Sequence, residues 1–409
     1  MELHNVSVEE AVECLLRRTG ALNRVETLPL EECLGRVCGE TLRAAFDQPP
    51  FDRSPLDGFA VRHGDIAGAS KDRPAFLRVT RTIYAGDREP GNRPLAAGEA
   101  VRIMTGAPIP PGATAVVRLE DSDNGKDRVG IFVSLREHEN YCFSGEDLRK
   151  GREILSAGSP LNAAAISVLA SQGMKEISVT GRPRAGILST GSELLPAGAP
   201  LEAGKIYDSN RVFLAARIRE LGGEPVCGLN AGDDPQTIAR ALEELLSGCD
   251  MVFTTGGVSV GDHDYLPAAG KRIGAETLFR GVRMKPGGWV TAMEKGGKIL
   301  LCLSGNPFAA VCGFELLGVP LLRRAAGLAE YRPRRVQAVL GEPFPRPSPS
   351  RRFLSGRLEG GRVFLSKSGY ASGSLSTLIG CNCLLDIPPR SPPLPEGAPV
   401  EIFTWVGEG

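Results

Sequence analysis

Between residues 184 and 322 the chain alternates β-prone and helical segments, and this alternation limits the fold more than any other feature of the sequence. Short apolar runs at 184–189, 224–229, 251–254 and 298–303 are separated by segments that begin with helix-capping residues. Strands that alternate with helices form a parallel sheet with right-handed crossovers. The pattern therefore predicts a doubly wound α/β domain.

The flanking segments have a different pattern. Ser7 and Glu10 form a capping-box pair at the start of a predicted N-terminal helix. Short β-prone runs separated by turn residues occur at 76–79, 100–104, 114–119 and 130–134, and again at 336–340, 352–358, 363–367, 383–386 and 400–404. They predict a small all-β module and a C-terminal β-barrel or sandwich. A further helix is predicted at 160–172, and the Gly-Arg-Pro-Arg stretch at 181–184 marks a candidate domain boundary.

Composition excludes several classes of protein. The 48 Lys and Arg residues balance 48 Asp and Glu residues, which argues against a nucleic-acid coat or a polybasic membrane anchor. The N-terminus lacks the pattern of a signal peptide, and no apolar run approaches the ~18 residues of a membrane helix. Most of the ten cysteines lie in apolar runs, and none forms a C-x-x-C pair. We therefore expect reduced thiols in a cytosolic protein without a structural zinc site.

The residues that follow each predicted strand carry the candidate chemistry, because ligands of a doubly wound sheet bind outside the carboxyl ends of its strands. Gly256 and Gly257 begin a Gly-rich loop that would let backbone N–H groups approach a phosphate, although a tight strand-to-helix turn explains the same residues. The loop 304–307 repeats this design. Lys285 is either a point charge for an anion or an exposed hairpin lysine.

Acidic residues accompany these loops. Those expected on the same rim are Glu193, Asp233, Asp234, Asp262 and Asp264. Mg²⁺ takes one or two carboxylates plus substrate oxygens, so the group indicates a magnesium site. Helix N-capping is the alternative reading, and it is strongest for Asp234 because Pro235 follows. Residues 331–360 contain seven Arg and two Glu, which form either a solvated face or a surface that steers an anionic ligand.

Taken in order, these motifs resemble the molybdopterin molybdenumtransferase family, the bacterial MoeA type that also forms the E domain of gephyrin. The similar segments are 51–61, 102–108, 145–147, 189–194, 205–210, 254–265, 284–287, 304–307, 372–378 and 382–384. The chain departs from the family pattern at Ser192 and Asp262. Gly281 and Gly288 stand where the family usually has lysine, with Arg280 and Arg283 as candidate substitutes for the first.

The resemblance implies a multidomain α/β plus β fold. Residues 1–47 and 145–181 would form a discontinuous elongated domain of helix and strand, and residues 48–144 an inserted β-domain. Residues 182–328 would form a doubly wound α/β domain of the molybdopterin-binding type, followed by a C-terminal β-barrel at 329–409. Family members are homodimers, with the site between the α/β domain of one subunit and the β-domain of the other.

The implied activity is the last step of molybdenum cofactor synthesis, in which molybdate enters adenylylated molybdopterin with Mg²⁺ and AMP is released. By motif position, the implied catalytic residues are Asp57, Thr105, Asp147, Glu193 and Asp264. The implied substrate- and phosphate-binding residues are Thr190, Gly191, Ser209, Gly256, Gly257, Ser259, Lys285, Ser304, Gly305, Asn306 and Pro307. The implied metal-binding residues are Glu193, Asp234 and Asp264.

The resemblance also implies molybdopterin adenylyltransferase as a partner, with molybdoenzyme chaperones as further candidates, and neither nucleic acid nor a membrane. Three alternatives stay open. An adenylyltransferase usually consists of the α/β domain alone, a paralogue could prefer tungstate, and a non-catalytic scaffold would show a degenerate site. The sequence does not decide between molybdate and tungstate, nor what Gly281 and Gly288 do to affinity.

Overall fold

The fold combines three β-rich bodies with seven helices in the computed structural model, which describes residues 3–87, 93–228, 230–258, 265–366 and 373–404. In these residues the strands are β1 Leu3–Val6, β2 Val25–Pro29, β3 Leu42–Arg43, β4 Gly58–Val61, β5 Ala75–Ile83, β6 Glu99–Ile103, β7 Ala115–Arg118, β8 Arg128–Ile131, β9 Glu153–Leu155, β10 Glu176–Thr180, β11 Arg184–Ser189, β12 Leu194–Leu195, β13 Ile206–Tyr207, β14 Glu224–Cys227, β15 Met251–Thr255, β16 Glu276–Val282, β17 Thr291–Lys295, β18 Lys298–Leu303, β19 Arg335–Leu340, β20 Arg352–Glu359, β21 Arg362–Leu365, β22 Cys383–Ile387 and β23 Pro399–Thr404. The helices are α1 Val8–Arg18, α2 Ala163–Ser171, α3 Ser209–Glu220, α4 Pro235–Gly248, α5 Tyr265–Arg272, α6 Pro307–Gly313 and α7 Val319–Ala325.

The described elements divide into two units. The first unit comprises Met1–Glu40, Ala157–Ala163 and Glu176–Gly409, and the second comprises Thr41–Ser156 and Ala164–Lys175. The first unit contains a sheet of seven described strands in the order β1-β16-β17-β18-β15-β11-β14. Strands β14, β11, β15 and β18 are parallel, so their carboxyl ends meet at one edge. This arrangement confirms the predicted α/β domain.

Buried strands and capped helices explain why this segment folds as it does. Every residue of β15 is buried, as a strand covered by helices on both faces requires. Helix α4 begins at Pro235 after Asp234, whose side chain accepts a hydrogen bond from the Thr237 N–H. Its buried face packs on the sheet through Ile238, Ala239, Leu242, Leu245 and Leu246. The predicted N-cap is therefore confirmed.

The N-terminal strand and helix pack on the same sheet. Strand β1 pairs in parallel with β16, and the buried face of α1 belongs to the core formed around the sheet. Ser7 and Glu10 form the predicted capping box. The resemblance, and not the helix pattern, placed these residues in an elongated domain, since the amphipathic pattern of α1 shows that one face is buried but not what buries it. Antiparallel β17, between β16 and β18, was also not predicted.

Five described strands close a C-terminal barrel in the order β19-β21-β20-β22-β23. All five lie at the predicted positions, and their inward side chains form a core of their own around Leu340, Phe344 and Leu385. Burial alternates along most of β19 and along the first residues of β23, as expected of strands that bury one face.

The second unit is a separate β-rich body. Its five-stranded sheet has the order β7-β4-β6-β5-β8, with two clusters of buried side chains, one of which surrounds Phe59 and Ile131. The four β-prone runs predicted between residues 76 and 134 correspond to β5, β6, β7 and β8. The fifth strand, β4, begins at Gly58, lies between β7 and β6, and was not predicted. The structure thus confirms the predicted all-β module.

A buried ion pair joins α3 to a π-helical segment, Phe314–Gly318, which lies between α6 and α7. Arg217 donates from Nε to Glu315 Oε1 at 2.8 Å and from Nη2 to Oε2 at 3.2 Å. Burial raises the pKa of the Glu315 carboxyl, and the guanidinium of Arg217 opposes this shift. The carboxylate depends on this partner because solvent does not reach it.

Replacing Arg217→Met should destabilise the first unit by roughly 3–5 kcal/mol, because it leaves Glu315 buried without a counter-charge. Burial raises the pKa of the Glu315 carboxyl, and without the guanidinium of Arg217 less opposes that rise, so the variant takes up a proton there more readily. The loss should therefore be smaller at low pH and grow as pH rises. Urea denaturation at several pH values, followed by circular dichroism, would measure it.

Two further variants control this experiment. The double variant R217M/E315M should recover part of the loss, because no charge is then buried. Glu220→Gln removes only the exposed partner of Arg217 and should cost at most about 1 kcal/mol. An R217M protein as stable as the wild type at neutral pH would contradict the assignment.

Candidate functional site

A cavity of about 680 Å³ opens where the predicted rim lies, at the carboxyl ends of β11, β15 and β18. Its described lining consists of Thr190, Gly191, Glu193, Leu194, Ile206, Tyr207, Asp208, Ser209, Asn210, Asp233, Thr255, Gly256, Gly257, Val258, Tyr265, Trp289, Ser304, Gly305, Asn306 and Pro307. All the described substrate-binding residues predicted from the sequence are here except Lys285. The volume is typical of a site for a small organic ligand.

Glycines let the loops of this rim approach one another closely. Gly256 has a φ of +88°, and a Cβ there would lie 2.4 Å from the carbonyl oxygen of Thr190. Gly257 has a φ of +64°, and its Cβ would lie 3.0 Å from Thr190 Oγ1. A side chain at Gly256 would displace the backbone, so the strand-to-loop turn requires glycine there. Both glycines also line the cavity.

The loop after β18 is held from two directions. The Asn306 N–H donates to Ser304 Oγ at 3.3 Å, and Asn210 Nδ2 donates to the Gly305 carbonyl oxygen at 2.8 Å. Asn306 precedes Pro307, the first residue of α6. Asn210 belongs to α3, so this side chain links the first and last loops of the rim. Asn210 belongs to the similar segment 205–210, but it was not among the residues predicted to bind substrate.

Three carboxylates line the cavity, and their hydrogen bonds distinguish them. Asp208 is buried, caps α3 by accepting from the Arg211 N–H, and pairs with the Arg211 guanidinium at 3.4 Å. Asp233 accepts from the Ser192 N–H at 2.9 Å and is exposed. Glu193 is exposed and lies over Gly191, where a Cβ would come 2.5 Å from Glu193 Oε2. Glu193 and Asp233 are therefore the carboxylates that can meet a cation from solvent.

Asp234, the predicted metal ligand, does not line the cavity. It accepts from both the N–H and the Oγ1–H of Thr237, at 2.8 and 2.7 Å. These bonds lower the pKa of Asp234, the Oγ1–H bond most. The structure therefore gives this side chain the capping role that was the alternative reading. Asp233 is the neighbouring carboxylate that faces the cavity.

Lys285 is exposed but lies outside the cavity lining. Its N–H donates to the Arg351 carbonyl oxygen at 2.9 Å, and its own carbonyl oxygen accepts from the Phe353 N–H at 2.8 Å. These bonds tie the segment to the start of β20 in the barrel. Four residues later, Trp289 does line the cavity. Trp289 was not among the residues predicted to form the site.

The backbone disfavours a side chain at both glycines that replace a family lysine. Gly281 has a φ of +79°, and a Cβ there would lie 2.6 Å from Asn5 Oδ1. A Cβ on Gly288 would lie 2.8 Å from the Met284 carbonyl oxygen. Arg283, one suggested substitute, pairs with Glu10 and also donates to the Asn5 carbonyl oxygen. The missing cations therefore reflect the path of the backbone.

The second unit brings together two of its three predicted residues. The N–H and the Oγ1–H of Thr105 both donate to Asp57 Oδ1 at 2.7 Å. These bonds hold the pKa of the Asp57 carboxyl below its ordinary value, the backbone bond most. Asp147 is exposed, and its N–H donates to the Gln48 carbonyl oxygen at 3.1 Å.

Some of the predicted site residues lie outside the part of the chain that the structure describes. Ser259 and Asp264 fall outside the described residues. Within the described part of the chain, no group of three or more His, Cys, Asp or Glu side chains is arranged to hold a metal ion. None of the ten cysteines, all within the described residues, forms a disulfide, and seven of them are buried. None of the helices described is long and apolar enough to cross a bilayer.

Three family models match the chain in order. The MoeA N-terminal region (domains I and II) matches residues 6–173, a probable molybdopterin-binding domain matches 186–324, and the MoeA C-terminal region (domain IV) matches 337–405. The second match contains all the described lining of the cavity. The barrel corresponds to the third.

Whole-length relatives agree with these matches. A molybdopterin molybdenumtransferase of Staphylococcus aureus (strain Mu50) is 36% identical over 404 residues, which is 97% of this chain and 95% of that protein. One from Bacillus subtilis (strain 168) is 35% identical and covers 97% and 94%. The crystal structure of the molybdopterin biosynthesis MoeA protein from Pyrococcus horikoshii OT3 has a TM-score of 0.85 and 30% identity, over 98% of this chain and 100% of that one. The chain therefore belongs to the molybdopterin molybdenumtransferase (MoeA) family.

Proposed function

We propose that this protein inserts molybdate into adenylylated molybdopterin, with Mg²⁺, and releases AMP. The observation that carries the proposal is the cavity, where glycine loops after two parallel strands face the carboxylates of Glu193 and Asp233. Glycine loops leave backbone free to approach phosphate oxygens, and carboxylates provide the ligands of a hard cation. A phosphoanhydride bridged by a divalent cation needs both.

The described carboxylates fit Mg²⁺ as a partner shared with substrate. Mg²⁺ is usually held by one or two carboxylates together with substrate phosphates and water. Glu193 and Asp233 would supply these two carboxylates, and both are exposed on the cavity side. When bound, the cation would neutralise charge that develops on the phosphate oxygens as the anhydride breaks.

The chain's own groups would position the substrate around that charge. The loops at Gly256 and Gly305 would bind the phosphates, and Asn210 would keep the second of these loops in place through its bond to Gly305. We also propose that Lys285 binds an oxyanion, since its side chain is exposed in the segment that leads to Trp289.

We further propose that the protein acts as a cytoplasmic homodimer, in which Asp57, Thr105 and Asp147 of a second copy complete the site. The support is the hydrogen-bonded pair of Asp57 and Thr105, in which the two bonds from Thr105 lower the pKa of a carboxyl on an exposed surface. Molybdopterin adenylyltransferase would supply the adenylylated substrate, and molybdoenzyme chaperones would be further candidate partners.

The direct test is AMP release by the purified full-length protein. With adenylylated molybdopterin and Mg²⁺, we expect AMP to appear only when molybdate is added, and omission of Mg²⁺ should abolish release. A parallel tungstate titration measures the metal preference. Consumption of ATP with molybdopterin in the absence of molybdate would instead indicate an adenylyltransferase. Absence of molybdate-dependent release from a competent substrate would refute the proposal.

Glu193→Gln should lower turnover roughly 10²- to 10³-fold, because it removes a charge from the cation's ligands without changing the size of the side chain. Asp233→Asn should also lower turnover strongly and raise the Mg²⁺ concentration needed for half activity. AMP release against Mg²⁺ concentration measures both effects. Unchanged dichroism spectra and unfolding midpoints would show that the variants remain folded.

Asp234→Asn is the matched control, since asparagine caps a helix as well as aspartate does. We expect nearly wild-type turnover from D234N. A loss as large as that of E193Q would mean that Asp234 binds the metal, as the sequence suggested.

Thr105→Val should shift the acid limb of the pH–rate profile to higher pH. The variant removes the side-chain hydrogen bond that helps to lower the pKa of Asp57, while the backbone bond remains. The carboxylate would therefore begin to protonate at a higher pH than in the wild type. Thr237→Val removes the equivalent bond from Asp234 and should leave the acid limb in place. An unshifted profile in T105V would show that ionisation of Asp57 does not limit the reaction.

A further inference from the structure

Trp289 stands out in the cavity because it is a large, exposed aromatic side chain among mostly small and polar residues. It is 53% exposed, and it lines the same cavity as the glycine loops and Glu193. Single exposed apolar residues are ordinary on a convex surface. An indole in a concave site offers a planar apolar face to whatever binds there.

The backbone on both sides of Trp289 is fixed. The Gly281 N–H donates to the Val290 carbonyl oxygen at 2.8 Å, and the Val282 N–H donates to the Gly288 carbonyl oxygen at 2.8 Å. A Cβ on Gly287 would lie 2.6 Å from the Ala309 carbonyl oxygen, so this turn packs directly on α6. A ring on a fixed backbone loses little conformational freedom when it contacts a ligand.

The described lining of the cavity contains no Lys, Arg or His. The two positions where the family usually has lysine disfavour a side chain, Gly281 through its φ of +79° and Gly288 through its approach to the Met284 carbonyl oxygen. The described lining can therefore contribute affinity for an anionic ligand through backbone groups, through a shared cation or through contact with the uncharged part of the ligand. Trp289, directly after Gly288, is placed to contact that uncharged part.

We infer that Trp289 stacks on the planar heterocycle of a phosphorylated ligand, and that this contact replaces affinity that a cationic side chain at position 288 would otherwise give. The heterocycle is either the purine or the pterin of the substrate, two planar rings with the same stacking chemistry. Base–aromatic stacking is strong enough to matter, since removing the aromatic ring typically weakens binding about 5- to 150-fold. This inference rests on the proposed function and adds a binding residue to the same site.

Calorimetric titration of the full-length protein with three probes in the presence of Mg²⁺ tests the inference. AMP carries the purine, 6-hydroxymethylpterin carries the pterin, and pyrophosphate carries neither ring. Trp289→Ala should weaken binding of one ring-bearing probe roughly tenfold or more and leave pyrophosphate unchanged. The probe that is affected identifies the ring. Trp289→Phe keeps an aromatic face and should restore most of the lost affinity.

Intrinsic fluorescence gives a second readout, because the chain has only two tryptophans, Trp289 and Trp405. In a W405F background the emission comes from Trp289 alone, and the ring-bearing probe should quench it while pyrophosphate should not. Ile379→Ala is the control for loss of an exposed apolar residue, since Ile379 is 85% exposed and lies outside the cavity lining, and it should change no titration.

Three outcomes would overturn the inference: equal weakening of pyrophosphate and the ring-bearing probes in W289A, unchanged binding of both ring-bearing probes, or failure of both to bind the wild type. The proposed function fails separately. If the protein releases AMP with molybdate but W289A binds every probe like the wild type, only the stacking inference fails. If ring binding depends on Trp289 but AMP is never released, only the proposed reaction fails.

Discussion

The close passage of the loop after β15 against Thr190 is the constraint on which the site depends. A Cβ on Gly256 would lie 2.4 Å from the Thr190 carbonyl oxygen, and the loop after β18 lies against Gly256 in turn, 3.4 Å from where a Gly305 Cβ would be. Three strand ends can therefore pack through main chain alone. A larger side chain at Gly256 would separate these loops, and the floor of the cavity would no longer be backbone.

Local patterns predicted most of the first unit because each element carries its own signals. Pro235 after Asp234 marked the start of α4, and the buried runs marked the strands whose parallel order brings their ends together. The pairing of β1 with β16 was not predictable in this way, because it joins residues far apart in the chain and leaves no periodic pattern in the sequence. Strand β17 was missed for another reason: it pairs with β18 across the short turn at Gly296 and Gly297, a local hairpin signal within a segment that was assigned no strand before Lys298.

Asp233 and Asp234 show that residue type and position in the sequence do not by themselves identify a metal-binding side chain. The two have the same side chain and adjacent positions, yet one caps a helix and the other faces the cavity. Pro235 fixes the first turn of α4, so the Asp234 oxygens meet Thr237, while Asp233 reaches back to the Ser192 N–H. The sequence identified the competition between capping and metal binding. Only the direction of the backbone at this turn separates the two roles.

The local backbone accounts both for the absence of the family lysines at positions 281 and 288 and for the role that we infer for Trp289. Restoring a lysine at Gly281 would require Asn5 to move, because the two residues face each other across β1 and β16. A side chain at Gly288 would meet the Met284 carbonyl oxygen in its own turn. Single reversions would therefore strain the backbone before they added charge, and their effects would not be additive with changes in the neighbours. Because the backbone disfavours a side chain at both positions, Trp289 is the residue that can add affinity, through a ligand's uncharged ring, without a change in the turn that carries it.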